Sequence, residues 1–182
     1  MRATLLLVLL IAAPASAEYR FGLEAAVAGA SLTTGTPHRP YAGGAGLVLG
    51  VSFGWRLTEW LSLRYLNRMP LYVFADEMPG LGVALDWYDF NVLALDAWVS
   101  DELFVTIGPS FDLMVPYAGN RAFGAGVDLR LQRVIRDDGG KPRYTLGLFF
   151  HPSVMQWTES HGYYEFTKVV GVAGITFEAL WL

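Results

Sequence analysis

The stretch LVLGVSFGWRLTEWLSLRY (47–65) decides the fold prediction, because the character of its side chains alternates with a period of two. From Leu47 to Leu57 the odd positions carry bulky apolar side chains, and most of the even positions carry small or polar ones. After the short link Arg56–Trp60 the alternation resumes, with Leu61 and Leu63 on one face and Arg64 on the other. Two alternating segments around a short polar link predict a β-hairpin with one apolar face.

The same alternation recurs along the chain. It is found again in Tyr19–Gly29, Leu103–Asp112, Phe123–Gln132, Tyr144–His151 and Lys168–Trp181. Leu85–Val99 also predicts a strand, but its apolar positions change parity, so a β-bulge is expected there. Short links are expected at Ser100–Glu102 and Arg136–Arg143, and mostly longer ones at Ser31–Gly43, Asn67–Gly80, Val115–Asn120 and Met155–Gly162. Such a pattern predicts an all-β, eight-stranded antiparallel up-and-down transmembrane β-barrel with its short turns on the periplasmic side.

Composition excludes several other classes of protein. The 182 residues are 53% apolar and 16% charged, which argues against disorder. There is no cysteine, so disulfide scaffolds and cysteine-ligated zinc sites are excluded. A formal charge of −4 argues against nucleic-acid binding. No cofactor is expected, and the three histidines, His38, His151 and His161, lack the spacing of a metal site.

The N-terminus has the features of an export signal. Arg2 precedes the apolar run Leu5–Ala13, Pro14 ends that run, and Ala15–Ala17 fits the pattern of small residues at a cleavage site. We therefore expect a signal peptide at residues 1–17 and a single barrel domain at residues 18–182, which holds 182 − 17 = 165 residues.

The less bulky face of the strands is rich in glycine and carries isolated charges of both signs. These charges are Arg20, Glu24, Arg56, Arg64, Asp112, Asp128, Arg130 and Glu178. Since an eight-stranded barrel has a narrow interior, they are expected to form a paired network in its lumen; an ion path is the alternative. The bulky face would then meet lipid, and Trp55, Trp60, Trp98 and Trp181 would form an aromatic girdle near the short turns. In the other orientation the chain would be a soluble exported ligand-binding barrel.

The export signal, the eight alternating segments and the turn WRLTEWLSLRY (55–65) resemble the outer-membrane β-barrel proteins of the OmpA/OmpX type. This resemblance implies an outer-membrane location, contact with outer-membrane lipid, and a structural role or binding of an extracellular ligand through the longer loops. It also implies that the barrel-assembly machinery reads the C-terminal strand. That strand ends GITFEALWL (174–182), with Leu182 where the family usually has an aromatic residue. The apolar link Asn67–Gly80 would be either a binding loop or a continuation of its strand.

One catalytic pattern is present. His151, Ser153 and Glu165 resemble the catalytic residues of the PagL-type lipid A deacylases, which are also eight-stranded outer-membrane barrels. The resemblance implies that His151 would take the proton of Ser153 while Glu165 orients the imidazole. That family continues with Asn-Ala-Gly after its serine, whereas Val154, Met155 and Gln156 follow here. A non-catalytic structural or binding barrel is the expected function, and a lipid A esterase is the alternative.

Overall fold

The alternating segments form eight long antiparallel strands. The computed structural model describes residues 19–34, 42–75, 83–114, 121–136, 142–158 and 165–181. Its strands are β1 (Tyr19–Thr34), β2 (Ala42–Arg56), β3 (Leu61–Ala75), β4 (Val83–Trp98), β5 (Leu103–Met114), β6 (Arg121–Arg136), β7 (Arg143–Thr158) and β8 (Glu165–Trp181). The described residues contain no candidate for a membrane-spanning helix.

Each strand pairs with its sequence neighbours, and β1 pairs with β8, so the sheet closes into a barrel. The closing pair is in constant register from Phe21 opposite Trp181 to Thr34 opposite Lys168. Closure leaves no unpaired edge, which is the condition for strands to exist in a lipid environment. The predicted fold class, an all-β eight-stranded antiparallel barrel, is confirmed.

The strand β4 corrects one expectation, because it contains no bulge. Its register with β3 and with β5 stays constant throughout. Tyr88 and Phe90 lie inside the barrel together with Asp96, while Leu93 and Leu95 lie outside. The apolar positions change parity along this segment because this part of the lumen is itself apolar. The register of the strand does not shift.

Several links are shorter than predicted. The strand β3 continues through Asn67 to Ala75. The first nine residues of the segment Asn67–Gly80 therefore form a continued strand, which was one of the two alternatives beside a binding loop. β1 likewise runs on to Thr34 and β7 to Thr158. The predicted signal peptide, His38 and His161 lie outside the described residues.

The barrel ends differ modestly in the length of their connections. At one end, the turn rim, residues 57–60, 99–102 and 137–142 join the strands, and β1 begins and β8 ends. At the other end, the loop rim, the connections are residues 35–41, 76–82, 115–120 and 159–164. Three of the four predicted girdle tryptophans, Trp55, Trp60 and Trp181, are exposed near the turn rim. Trp98 is the exception, because it points inward and stacks on Phe104 with ring centroids 4.5 Å apart.

The distribution of side chains is the inverse of that in a water-soluble protein. Large apolar side chains of the outer face are exposed, with exposed fractions of 64% for Val27, 60% for Leu49 and 54% for Ile107. The arginines and carboxylates of the opposite face are almost completely buried in the lumen. The candidate functional site is therefore the interior of the barrel.

Candidate functional site

The lumen has room for large polar side chains because glycines lie next to them on neighbouring strands. A Cβ atom on Gly22 would lie 2.4 Å from Ser52 Oγ and 2.6 Å from Glu178 Oε1. A Cβ atom on Gly126 would lie 2.7 Å from Asp112 Oδ2. The glycines on the inward parity are therefore needed for the close approach of the polar groups.

The first group of buried charges, which we call the lower cluster, lies toward the turn rim and is centred on Arg64. The Arg64 guanidinium lies 2.7 Å from an oxygen of Asp96 and 2.7 Å from Glu178 Oε1. Glu178 also accepts hydrogen bonds from Ser52 (3.0 Å) and Gln132 (3.1 Å). Each of the two carboxylates contacts Arg64, and each also accepts a further hydrogen bond, from a neutral side chain or from a second nitrogen of Arg64. These contacts compensate the cost of removing the ions from water.

The second group, the central cluster, is built around Arg68 on β3. Arg68 donates two hydrogen bonds to Glu24, at 3.0 and 2.8 Å, and a third to Asp128 Oδ1 at 3.0 Å. Arg130 lies 2.5 Å from Asp128 and 3.3 Å from Glu24, so two arginines share two carboxylates. Thr176 donates a further hydrogen bond to Glu24 at 2.6 Å.

His151 extends the central cluster toward the loop rim. Its Nδ1 lies 3.3 Å from Asp128 Oδ1, and its Nε2 lies 3.2 Å from Asp112 Oδ2 and 3.4 Å from Ser110 Oγ. The imidazole stacks on Phe90 with centroids 4.1 Å apart and planes inclined by 7°. Carboxylates only accept hydrogen bonds when ionised. Both ring nitrogens of His151 therefore face carboxylates of the lumen network.

An apolar layer fills the lumen above these charges. Tyr88 lies between Tyr72 (ring centroids 6.1 Å apart) and Phe90 (5.8 Å), and Met155 and Val172 are fully buried beside them. Side chains thus occupy the described part of the lumen through both charge clusters and up to this layer.

The structure brings together most of the residues that the sequence predicted for the lumen network. Those buried in the lumen are Arg20, Glu24, Arg64, Asp112, Asp128, Arg130 and Glu178. Arg56 departs from the prediction, because it is the last residue of β2 and is only half-buried at the turn rim. Its guanidinium donates to the backbone oxygens of Thr58 at 3.2 Å and Glu59 at 2.8 Å.

Sequence reasoning missed two central members of the network, Arg68 and Asp96. Arg68 falls in the predicted link Asn67–Gly80, for which a binding loop and a continued strand are both open, although counting on by twos from Arg64 reaches it through Leu66. Asp96 lay in the segment where a bulge was expected, and it has the same parity as Tyr88. Continuing one alternation without interruption would have found both residues.

The predicted catalytic residues are not brought together. Ser153 is buried in the lumen, and its Oγ donates to the Ala125 backbone oxygen at 3.4 Å. On β8, the register partner of His151 is Val172, seven residues from Glu165. At about 3.3 Å per residue this places the Glu165 backbone about 23 Å along the strand from the imidazole's position. The constant register across Pro152 keeps His151 on the lumen side.

A metal centre is not visible in the part of the chain that the structure describes. No group of three or more histidine, cysteine, aspartate or glutamate side chains there is arranged to hold a metal ion. Glu24, Asp96, Asp128 and Glu178 are instead paired with the arginines Arg64, Arg68 and Arg130.

Comparison with known proteins supports the architecture. No family model matches the chain, and no curated protein sequence matches it. Among solved structures, the outer-membrane protein OprG from Pseudomonas aeruginosa is similar with a TM-score of 0.52, over 91% of this chain and 97% of the OprG chain. Sequence identity in that comparison is 10%, so the likeness concerns the fold. This chain thus has the closed eight-stranded antiparallel barrel architecture found in an outer-membrane protein.

Proposed function

We propose that this protein is an outer-membrane β-barrel of the OmpA/OmpX type with a structural or loop-mediated binding role and no catalytic activity. The observation that carries the proposal is the inverted distribution of side chains. Leu49, Leu148 and Phe150 are exposed on the outer face, whereas Arg64 and Arg68 are buried inside. Soluble monomers rarely expose contiguous apolar patches of more than a few hundred Å², and this apolar face surrounds the barrel. A soluble ligand-binding barrel would have the opposite orientation.

The filled lumen supports a structural role over transport. Arg64, Arg68 and Arg130 each bind two carboxylates, so the cations and anions that might attract a permeating ion are already paired. The apolar layer around Tyr88 adds a second obstruction. A small barrel with this interior resembles a membrane anchor rather than a pore.

Binding through the loop rim stays a prediction, because the connections 35–41, 76–82, 115–120 and 159–164 lie outside the described residues. Recognition of β8 by the barrel-assembly machinery is likewise a prediction. It is compatible with the outward position of Phe177 and Trp181 on that strand.

The proposal can be tested by refolding residues 18–182 into phospholipid vesicles. We expect a protease-resistant barrel that migrates anomalously on gels unless it is heated, and planar bilayers containing it should show no stepwise conductance. A protein that stays monodisperse without detergent would contradict the membrane orientation. Regular conductance steps would contradict the closed lumen.

A second experiment separates the structural barrel from an esterase. Lipid A is analysed by mass spectrometry from a Gram-negative host with and without the folded protein in its outer membrane. We expect an unchanged profile, because His151 faces two carboxylates and Glu165 lies far along β8. A mass loss equal to one acyl chain that disappears in the Ser153→Ala variant would overturn the proposal.

A further inference from the structure

We propose that the turn-rim mouth of the lumen is a binding site for a phosphate group. The mouth contains a cavity of about 460 Å³. It is lined by Arg20, Arg56, Glu59, Trp60, Trp98, Ser100, Asp101 and Arg143. Three arginines thus converge on one cavity, from the ends of β1, β2 and β7.

Arg20 is the residue that makes this cavity a site. It is only 1% exposed, and its Nε and Nη2 atoms have no hydrogen-bond partner among the described residues. Its one described close contact is a cation–π contact with Trp98, whose ring centroid lies 5.2 Å from the guanidinium carbon. Burying a charged group without such a partner costs free energy. An anionic ligand bound to Arg20 would offset that cost.

The network above the cavity gives Nε and Nη2 of Arg20 no hydrogen bond, although Asp96 is near enough to attract the guanidinium electrostatically. Asp96 lies on β4 and belongs to the lower cluster. It binds Arg64 at 2.7 Å and accepts a hydrogen bond from Thr106 at 2.8 Å. Glu178 binds Arg64 as well. The buried carboxylates of the lumen are therefore engaged by other groups, and Arg20 lies below them on the side of the open mouth.

The arrangement of charge favours an anion that enters from the turn rim. The two carboxylates that line the cavity, Glu59 and Asp101, belong to exposed turn residues, whereas Arg20 is buried and Arg56 and Arg143 are half-buried. The charge of the lining is +3 from arginines and −2 from carboxylates, a net of +1. Positive charge is thus concentrated in the deeper part of the cavity.

The chemistry of the lining selects phosphate among anions. Guanidinium groups present paired N–H donors that match two oxygens of one phosphate. Trp60 is 60% exposed at the same mouth, and tryptophan prefers the level of lipid headgroups. The ligand is therefore either the phosphate of a phospholipid headgroup or free phosphate, two sources with the same contact chemistry.

The test measures binding to the whole folded barrel in detergent micelles. Inorganic phosphate is titrated by calorimetry, and phosphatidylglycerol is added in a parallel series followed by native mass spectrometry. The variant Arg20→Gln removes the buried guanidinium. Arg133→Gln is the matched control, because its exposed side chain pairs with Glu102 at 3.0 Å on the outer surface.

We expect phosphate or the lipid to bind the parent and the Arg133→Gln control equally, and to bind Arg20→Gln at least about tenfold more weakly, the loss of one charge-assisted hydrogen bond. Binding of lipid without binding of inorganic phosphate would assign the site to a headgroup, and the reverse to the free ion. Failure of both probes to bind the parent, or equal binding to Arg20→Gln, would overturn the proposal.

Two further variants keep the result decisive. Arg20→Lys retains the charge but loses the paired donors, so a folded Arg20→Lys barrel with weakened binding supports the proposal even if Arg20→Gln fails to fold. If phosphate binds the Arg20→Lys variant as well as it binds the parent, a single positive charge is sufficient and the assignment of the site to phosphate is wrong.

Asp137 and Asp138 lie in the connection next to Arg143, outside the described residues. If phosphate binds only after Asp137→Asn and Asp138→Asn are combined, the occupant is the chain's own carboxylate and the proposal is wrong.

Discussion

Replacing Arg68 with methionine should be among the most destabilising changes available in this barrel. The substitution keeps a long unbranched side chain but removes three hydrogen bonds of 2.8–3.0 Å to Glu24 and Asp128. It also removes the contact of the guanidinium carbon with the Phe149 ring, whose centroid is 3.9 Å away. The two carboxylates would remain in the lumen with one arginine, Arg130, between them.

The magnitude follows from the burial of the two carboxylates. Hydrogen bonds that involve a charged group contribute about 1.5–3 kcal/mol each, and three of them are lost. Arg130 still lies 2.5 Å from Asp128 and 3.3 Å from Glu24, so part of the charge compensation survives. Removing one partner of a buried ion pair typically costs about 3–5 kcal/mol, and we expect the Arg68→Met variant to lose that much free energy of unfolding.

Arg133→Met is the matched control for this measurement. Its side chain is 70% exposed and pairs with Glu102 at 3.0 Å, so its loss should cost no more than about 1 kcal/mol. Both variants are unfolded with urea in lipid vesicles, and tryptophan fluorescence follows the transition. The combination of Arg68→Met with Glu24→Gln should recover stability, because one uncompensated charge is removed. If Arg68→Met is no less stable than Arg133→Met, the central cluster does not stabilise the barrel.

The other predictions concern the barrel wall. Leu49→Arg places a charge on the outer face, where the side chain is 60% exposed, and should cost about 2–4 kcal/mol if that face meets the centre of a bilayer. Thr58→Arg in the exposed turn is the control. If the two variants fold into vesicles equally well, the assignment of the outer face is wrong. Gly46→Ala should impair pairing of β2 with β3, because the added Cβ would lie 2.0 Å from the Leu71 backbone oxygen. Gly29→Ala, whose Cβ would lie 3.9 Å or more from other chain atoms, should fold like the parent. Both glycine variants are scored by the fraction of protein that becomes resistant to protease, and equal scores would contradict the argument.

The closed barrel was predictable because it follows from a local rule. In Leu47–Leu57, each step along the chain changes face, and this alone assigns Leu49 outward and Gly50 inward. The same rule failed in Leu85–Val99, where Tyr88 and Phe90 are apolar yet point inward. Hydropathy indicates which face of a strand points inward only where the lumen is polar. The layer of the lumen around Tyr88 and Phe90 is apolar.

The pairing inside the lumen was less predictable, because it depends on which strands face one another. Arg64 on β3 binds Glu178 on β8, and 114 residues separate them in the chain. No spacing in the sequence encodes this contact, since it depends on the register of all the intervening strands. For the same reason the spacing of His151 and Glu165 suggested a catalytic pair, whereas the register places them far apart along the barrel wall.

The seam between β1 and β8 has a kinetic consequence. Phe21 pairs with Trp181, so the contacts that close the barrel join the two most distant parts of the described chain. Contacts of such sequence separation require the chain entropy of a very long loop to be lost before they give any stability, and folds rich in them fold slowly. Until the seam forms, the open sheet exposes two unpaired edges that invite association with other chains. The time spent in this state, rather than the stability of the finished barrel, should limit how much protein folds correctly.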